Sequence, residues 1–339
     1  MVGTAPRRRP VRRALRHAQH LPARGRHPAG RARHRAADLV GGATMSRALG
    51  AGRAVVGWWT RPVPLARVAV LRVAIYLFVL YDIFRLTNDV IPMAHAPELY
   101  YPTWVGRALP LPEPSLPLAH TLQIVIVVGC LVAATGLLPR LAGGVVAVAY
   151  FQWMVFSQGY GYVSHDHLAL MVAVVVLPTI GRARFTDHDS SEAAGWAFRC
   201  IQVSVIATYF ASAVVKWVRS GSPATWANGA VFIWAIIRRG SDLVRWTTDY
   251  PWLLIIAQWG LLIIEFLSPV VLWLKGKALY LAVVTFAGFH LMTYLALGIH
   301  FLPTVICWLA FLPLERLVPV GQRLLGRLRQ RPPMPTSAV

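Results

Sequence analysis

The chain has 339 residues, of which 56% are hydrophobic and only 14% charged, with a mean hydropathy of +0.53. A soluble domain carries about 25% charged residues, so this composition excludes an ordinary water-soluble globule and points to an all-α, polytopic transmembrane bundle. The net charge of +21 gathers in blocks beside apolar segments, which reads as anchoring to anionic lipid and not as a nucleic-acid surface.

Residues 1–57 read as a basic, disordered tail. Residues 1–44 hold eleven Arg, including Arg7-Arg8-Arg9, against the single acid Asp38. They contain no apolar h-region, so they do not read as a secretory signal, and Met45-Ser46-Arg47 reads as an alternative start. Residues 58–315 form the expected transmembrane domain. Residues 316–339, with Arg316, Arg323, Arg327, Arg329 and Arg331, form a second basic tail.

A membrane helix needs about 20 mostly apolar residues. In chain order, about eight spans are expected, at 66–86, 119–138, 141–157, 163–181, 196–217, 252–273, 278–297 and 299–314. The apolar stretch Ala224–Ile237 is too short to cross and reads as a re-entrant or interfacial helix, with Ser222 as N-cap and Pro223 at the first helical position. Cys130, Cys200 and Cys307 each lie alone in an apolar run and read as small core residues.

Lys and Arg in short loops set the orientation. With the N-terminus inside, Arg140, Arg182, Arg184, Lys275, Lys277 and the basic C-terminal tail all fall on the cytoplasmic side. The outer segment 216–251 breaks this bias. The expected product is a multi-pass cell-membrane protein with both termini cytoplasmic.

Ionisable groups inside spans are costly and face the bundle interior or a water-filled cavity. Arg72 and Asp82 are ten residues apart, roughly 15 Å along a helix, so they do not pair directly. Glu265 is the candidate partner for Arg72, as a structural intramembrane charge pair. A second group collects at the outer face: His165 and His167 opening the fourth span, Lys216 ending the fifth, and His290 in the seventh. Tyr160, Tyr162, Tyr209, Trp217, Trp226 and Tyr294 lie nearby. Lys216 reads either as a snorkelling side chain or as a base. His165 and His167 read as helix caps, as lipid-headgroup contacts, or as partners of that base. No metal site is expected, because His-x-His stands without further ligands. A buried Lys works as a base when neutral, and imidazoles can hold the resulting anion or shuttle its proton.

Three motifs carry a resemblance: Tyr209-Phe210-x-x-x-Val214-x-Lys216 followed by Trp226-x-x-Gly229; Ser164-His165-x-x-Leu168; and Phe289-His290-x-Met292. In this order they resemble the HTTM family, the membrane module of vitamin K-dependent γ-glutamyl carboxylase and its bacterial relatives. Arg72 and Glu265-Phe266-Leu267-x-Pro269 are similar to recurrent features of that family. The resemblance covers about residues 58–315 and does not extend to the carboxylase's lumenal domain. Val215 stands where the carboxylase has a first Lys, and Ser164 where it has Asn.

The resemblance implies that Lys216 is the base, with His165 and His290 as catalytic partners. His167, Tyr209, Trp217, Trp226 and Tyr294, at the same outer face, are expected to line a substrate site, and the resemblance, which points to His165 rather than His167 as the functional histidine, implies a reduced, vitamin K-like quinone as substrate or cofactor. The competing expectation is a non-enzymatic membrane protein that binds a lipid, a secreted peptide or a partner subunit, in a maturation or immunity role. A transporter ranks last, since no inverted repeat is visible.

Overall fold

The computed structural model describes residues 50, 52–161, 164–319 and 323. Tyr162, most of the basic N-terminal tail and most of the C-terminal tail lie outside the described residues. The chain divides into two units at residue 56. Residues 52–56, read from the sequence as disordered tail, are helical.

The second unit starts at Gly57 and is built from helices. Its strand content among the described residues is one two-residue antiparallel pair, β1 (Val63–Pro64) with β2 (Ser190–Ser191). The long helices are α1 (Leu65–Tyr81), α2 (Leu116–Thr135), α3 (Pro139–Ser157), α4 (Leu168–Ile180) and α5 (Glu192–Ser220). They continue with α6 (Ala230–Arg239), α7 (Pro251–Leu267), α8 (Gly276–Leu297) and the short α9 (Leu302–Cys307).

Five of these segments are long and apolar enough to cross a membrane: α2, α3, α5, α7 with its 3₁₀ extension to Trp273, and α8. They mark the chain as a membrane protein. The other three expected spans form shorter pieces. The first is α1 followed by a π-helical turn at Asp82–Leu86. The fourth is the 3₁₀ turn His165–His167 with α4, and the eighth is α9 with the 3₁₀ turn Trp308–Phe311.

The core lies among α1 to α5, with Leu71, Ile75, Ile126, Trp153, Leu170 and Ile201 fully buried. Small residues bring these helices close, as expected where lipid removes the hydrophobic drive for association. Gly129 on α2, for example, leaves no room for a side chain beside Val146 of α3. Cys130 and Cys307 are buried and Cys200 is partly exposed, in keeping with small packing residues. In contrast, α8 buries Phe286 and His290 and exposes Leu281 and Val284. Outward apolar side chains of this kind suit contact with lipid tails.

The stretch read as one re-entrant helix is two pieces. Ser222 caps a single turn, Pro223–Trp226, accepting from the Thr225 N–H at 3.1 Å. The chain then breaks at Gly229, whose φ of +90° suits glycine. The ten-residue α6 follows.

The connections place the ends of the helices. α4 and α5 pack together and are joined by residues 181–191, so His165 and Lys216 fall at one end of the bundle. The β1–β2 pair, Arg182 and Arg184 fall at the other.

Candidate functional site

Tyr209, Ser212 and Lys216 occupy positions i, i+3 and i+7 of α5, so one helix face carries all three. The Lys216 ammonium pairs with Glu265 Oε2 on α7. Ser212 Oγ donates to the other carboxylate oxygen at 3.4 Å. The Lys216 side chain is 20% exposed and that of Glu265 7%, so the pair is largely withdrawn from solvent. A pair of this kind repays its desolvation only through close geometry and additional hydrogen bonds. The Trp226 ring supplies a further contact, with its centroid 4.8 Å from Nζ. Gln258, two turns before Glu265 on α7, donates from Nε2 to the Trp226 carbonyl at 2.5 Å. Its buried Oε1 has no partner among the described residues.

Two turns deeper on α5, Tyr209 meets His290 of α8. Trp308 Nε1 donates to the Tyr209 hydroxyl at 3.0 Å, and that hydroxyl lies 2.6 Å from His290 Nε2. When Tyr209 donates to Nε2, the imidazole hydrogen sits on Nδ1, which is buried and has no partner among the described residues. Phe286 and Trp308 stack at 4.8 Å around this contact. The hydrogen bond thus ties α8, which buries little else, to α5.

The two histidines of Ser164-His165-Asp166-His167 separate. His167 is buried: its Nε2 lies 2.8 Å from Asp82 and its Nδ1 3.2 Å from Asp166. Tyr150 donates to the second Asp82 oxygen at 2.7 Å, and Trp153 donates to Thr87, which itself donates to Asp82. Thr304 donates to the Asp166 carbonyl at 2.7 Å. This network fastens the 164–167 turn to the π-helical turn after α1, to α3 and to α9. His165 faces outward and is exposed, with its ring centroid 6.1 Å from that of Phe301. Phe301 in turn lies 5.2 Å from His290.

The structure therefore brings together Lys216, Trp226 and Glu265, and separately Tyr209 and His290, with His165 at the same end. Trp217 is 45% exposed and packs on Phe266, and Tyr294 is 53% exposed. Tyr160 packs on Tyr100.

The expected partnership of Arg72 with Glu265 is corrected. Glu265 belongs to Lys216, whereas Arg72 lies at the opposite end and donates from Nη2 to the Ala183 carbonyl at 2.7 Å. Side-chain direction explains this. Helical side chains lean toward the N-terminus of their helix. Lys216 therefore leans back down α5 while Glu265 leans up α7, and the two meet. Arg72, near the start of α1, leans toward the opposite end.

Ser212, Gln258 and Trp308 join the site without having been singled out from the sequence. The i, i+3, i+7 spacing with Tyr209 and Lys216 marks Ser212, and the seven-residue spacing to Glu265 marks Gln258. Among the described residues, no group of three or more His, Cys, Asp or Glu side chains has metal-holding geometry. Comparison with known proteins gives no match to a family model, to a curated protein or to a solved structure.

Proposed function

We propose that this chain is a multi-pass protein of the cell membrane, with about eight spans and both termini cytoplasmic. Its Lys216 end is an extracytoplasmic acid–base site for a lipophilic, weakly acidic substrate such as a reduced quinone. The observation that carries this reading is the shielded Lys216–Glu265 pair beside Trp226. The motif resemblance around Lys216, His165 and His290 supports it.

The proton shared by the pair has two stations. On Lys216 it gives ammonium and carboxylate; on Glu265 it gives a neutral amine and a carboxylic acid. Apolar surroundings reduce the advantage of the charged arrangement. In the neutral arrangement the Lys216 lone pair takes a phenolic proton from the substrate, leaving a phenolate and an ammonium. His165, at the same end, holds the phenolate or passes the proton on. The aromatic side chains Trp226, Trp217 and Phe266 suit a flat, greasy ring, and Gln258 Oε1, without a partner among the described residues, is a further acceptor for a hydroxyl. The phenolate is the form that dioxygen oxidises: hydroquinone gives up two electrons and two protons, yielding quinone and hydrogen peroxide.

A second reading, binding of a lipid, secreted peptide or partner subunit without chemistry, draws on the exposed aromatics Trp217, Trp234, Trp252 and Tyr294. Quinol-dependent oxygen uptake by the purified protein separates the two. Lys216→Ala is expected to reduce the rate above spontaneous oxidation by at least about 100-fold, as for loss of a general base. Equal rates in the two proteins would remove the enzymatic reading and leave the binding one.

A further inference from the structure

Arg72 is 4% exposed, yet the described residues offer its guanidinium no carboxylate within hydrogen-bonding reach. Nη2 donates to the Ala183 carbonyl, while Nε and Nη1 are buried without a described partner. A neutral carbonyl does not cancel a full charge, and an uncompensated buried charge is among the costlier features a fold can retain. Asp187, in the loop after Arg184, makes no ion pair with Arg72, and one of its carboxylate oxygens accepts the Arg184 backbone N–H at 2.8 Å.

Arg72 opens onto a cavity of about 320 Å³, lined also by Gly136, Leu137, Arg182, Arg184 and Phe185. That volume lies at the lower end of the range for small-molecule sites. Gly136 ends α2 with φ +78°, and a Cβ there would run into Nη2. The backbone is thus shaped around the guanidinium. A second hollow of about 410 Å³ begins at Leu138 and Arg182, lined also by Arg140 and Leu141. Cationic groups and apolar side chains therefore stand next to each other at this end of the bundle, as they do where a lipid headgroup meets its acyl chains.

We propose that this cavity binds one phosphate-type anion, either a lipid phosphodiester or free phosphate, with Arg72 as its buried contact and Arg182 and Arg184 as its rim. The guanidinium fork is the side chain best matched to such oxyanions. The anion supplies a counter-charge that the described residues do not. The site is separate from the Lys216 end and does not depend on any chemistry there.

The test is binding to detergent-purified protein at fixed ionic strength. The probes are phosphatidylglycerol, phosphatidylcholine and inorganic phosphate. Wild-type protein is expected to hold about one phosphatidylglycerol per chain, at least 10-fold more tightly than phosphatidylcholine, from the guanidinium contacts to the anion. Arg182→Gln with Arg184→Gln, both at exposed positions, should weaken binding about 10-fold or more. Arg238→Gln with Arg239→Gln removes the same charge elsewhere and should leave binding unchanged. Arg72→Gln, checked for folding by circular dichroism, should abolish it. Competition by inorganic phosphate assigns the site to the free anion, and its failure to compete assigns the site to the lipid. Equal affinity in wild type and the Arg182/Arg184 variant, or equal loss in the Arg238/Arg239 variant, would overturn the proposal.

Discussion

Lys216 and Arg72 are both cations withdrawn from solvent, and the fold treats them in opposite ways. Lys216 receives a carboxylate from α7, a hydroxyl that engages the same carboxylate, and an aromatic face. Arg72 receives one backbone carbonyl and an adjoining cavity. The first is a closed electrostatic unit, within which a proton can move without changing the net charge. Among the described residues the second is open, and its proposed counter-charge is a bound anion. A buried cation is therefore not one kind of feature: its partner set decides whether it points to internal chemistry or to a ligand.

The comparison breaks most sharply where Lys216 is made to resemble Arg72. Glu265→Gln leaves the ammonium without its carboxylate, and about 3–5 kcal/mol of stability should be lost, as for other buried pairs cut on one side. Unfolding in mixed micelles measures this. Asp82 sharpens the contrast with a carboxylate held by neutral donors and a histidine. Asp82→Asn should cost about 1–3 kcal/mol through the partners it leaves unsatisfied. It should also loosen the 164–167 turn, visible as faster hydrogen exchange there.

The smallest effect belongs to Arg67 and Glu315, an ion pair with side chains 21% and 27% exposed. Burial alone would raise the Glu315 carboxyl above its ordinary value of 4.5, but the hydrogen bond and charge of Arg67 outweigh that and hold it below. A depressed carboxyl contributes fully above its unfolded value and loses that contribution as pH falls through its lower folded value. Arg67→Gln should therefore cost less than about 1 kcal/mol near neutral pH. The difference from wild type should shrink as pH drops below 4.5. A gap that persists in acid would show that Arg67 acts through something other than this pair.

The sequence made the long helices legible because runs such as Leu116–Thr135 and Gly276–Leu297 are apolar over the length a span requires. It was weaker where helices change type. The π turn after Tyr81 and the break at Gly229 leave no mark in hydropathy. Lys216 stands out as a cation ending the fifth expected span, and His290 as an imidazole inside the seventh. The partner of Lys216 does not, because a succession of spans gives the depth of each Cα and not the lean of each side chain. Composition and spacing alone do not separate His165 from His167 either. Two histidines two residues apart look equivalent in sequence, yet the 3₁₀ turn buries one against Asp82 and exposes the other.

The central claim is that Lys216 and Glu265 act as one unit, and a double-mutant cycle addresses it most directly. Lys216→Met and Glu265→Gln should each destabilise the fold, and the double variant should lose about 2–3 kcal/mol less than the sum of the two single losses. Simple additivity of the two single losses would contradict the pairing, and with it the proton-sharing site built on it.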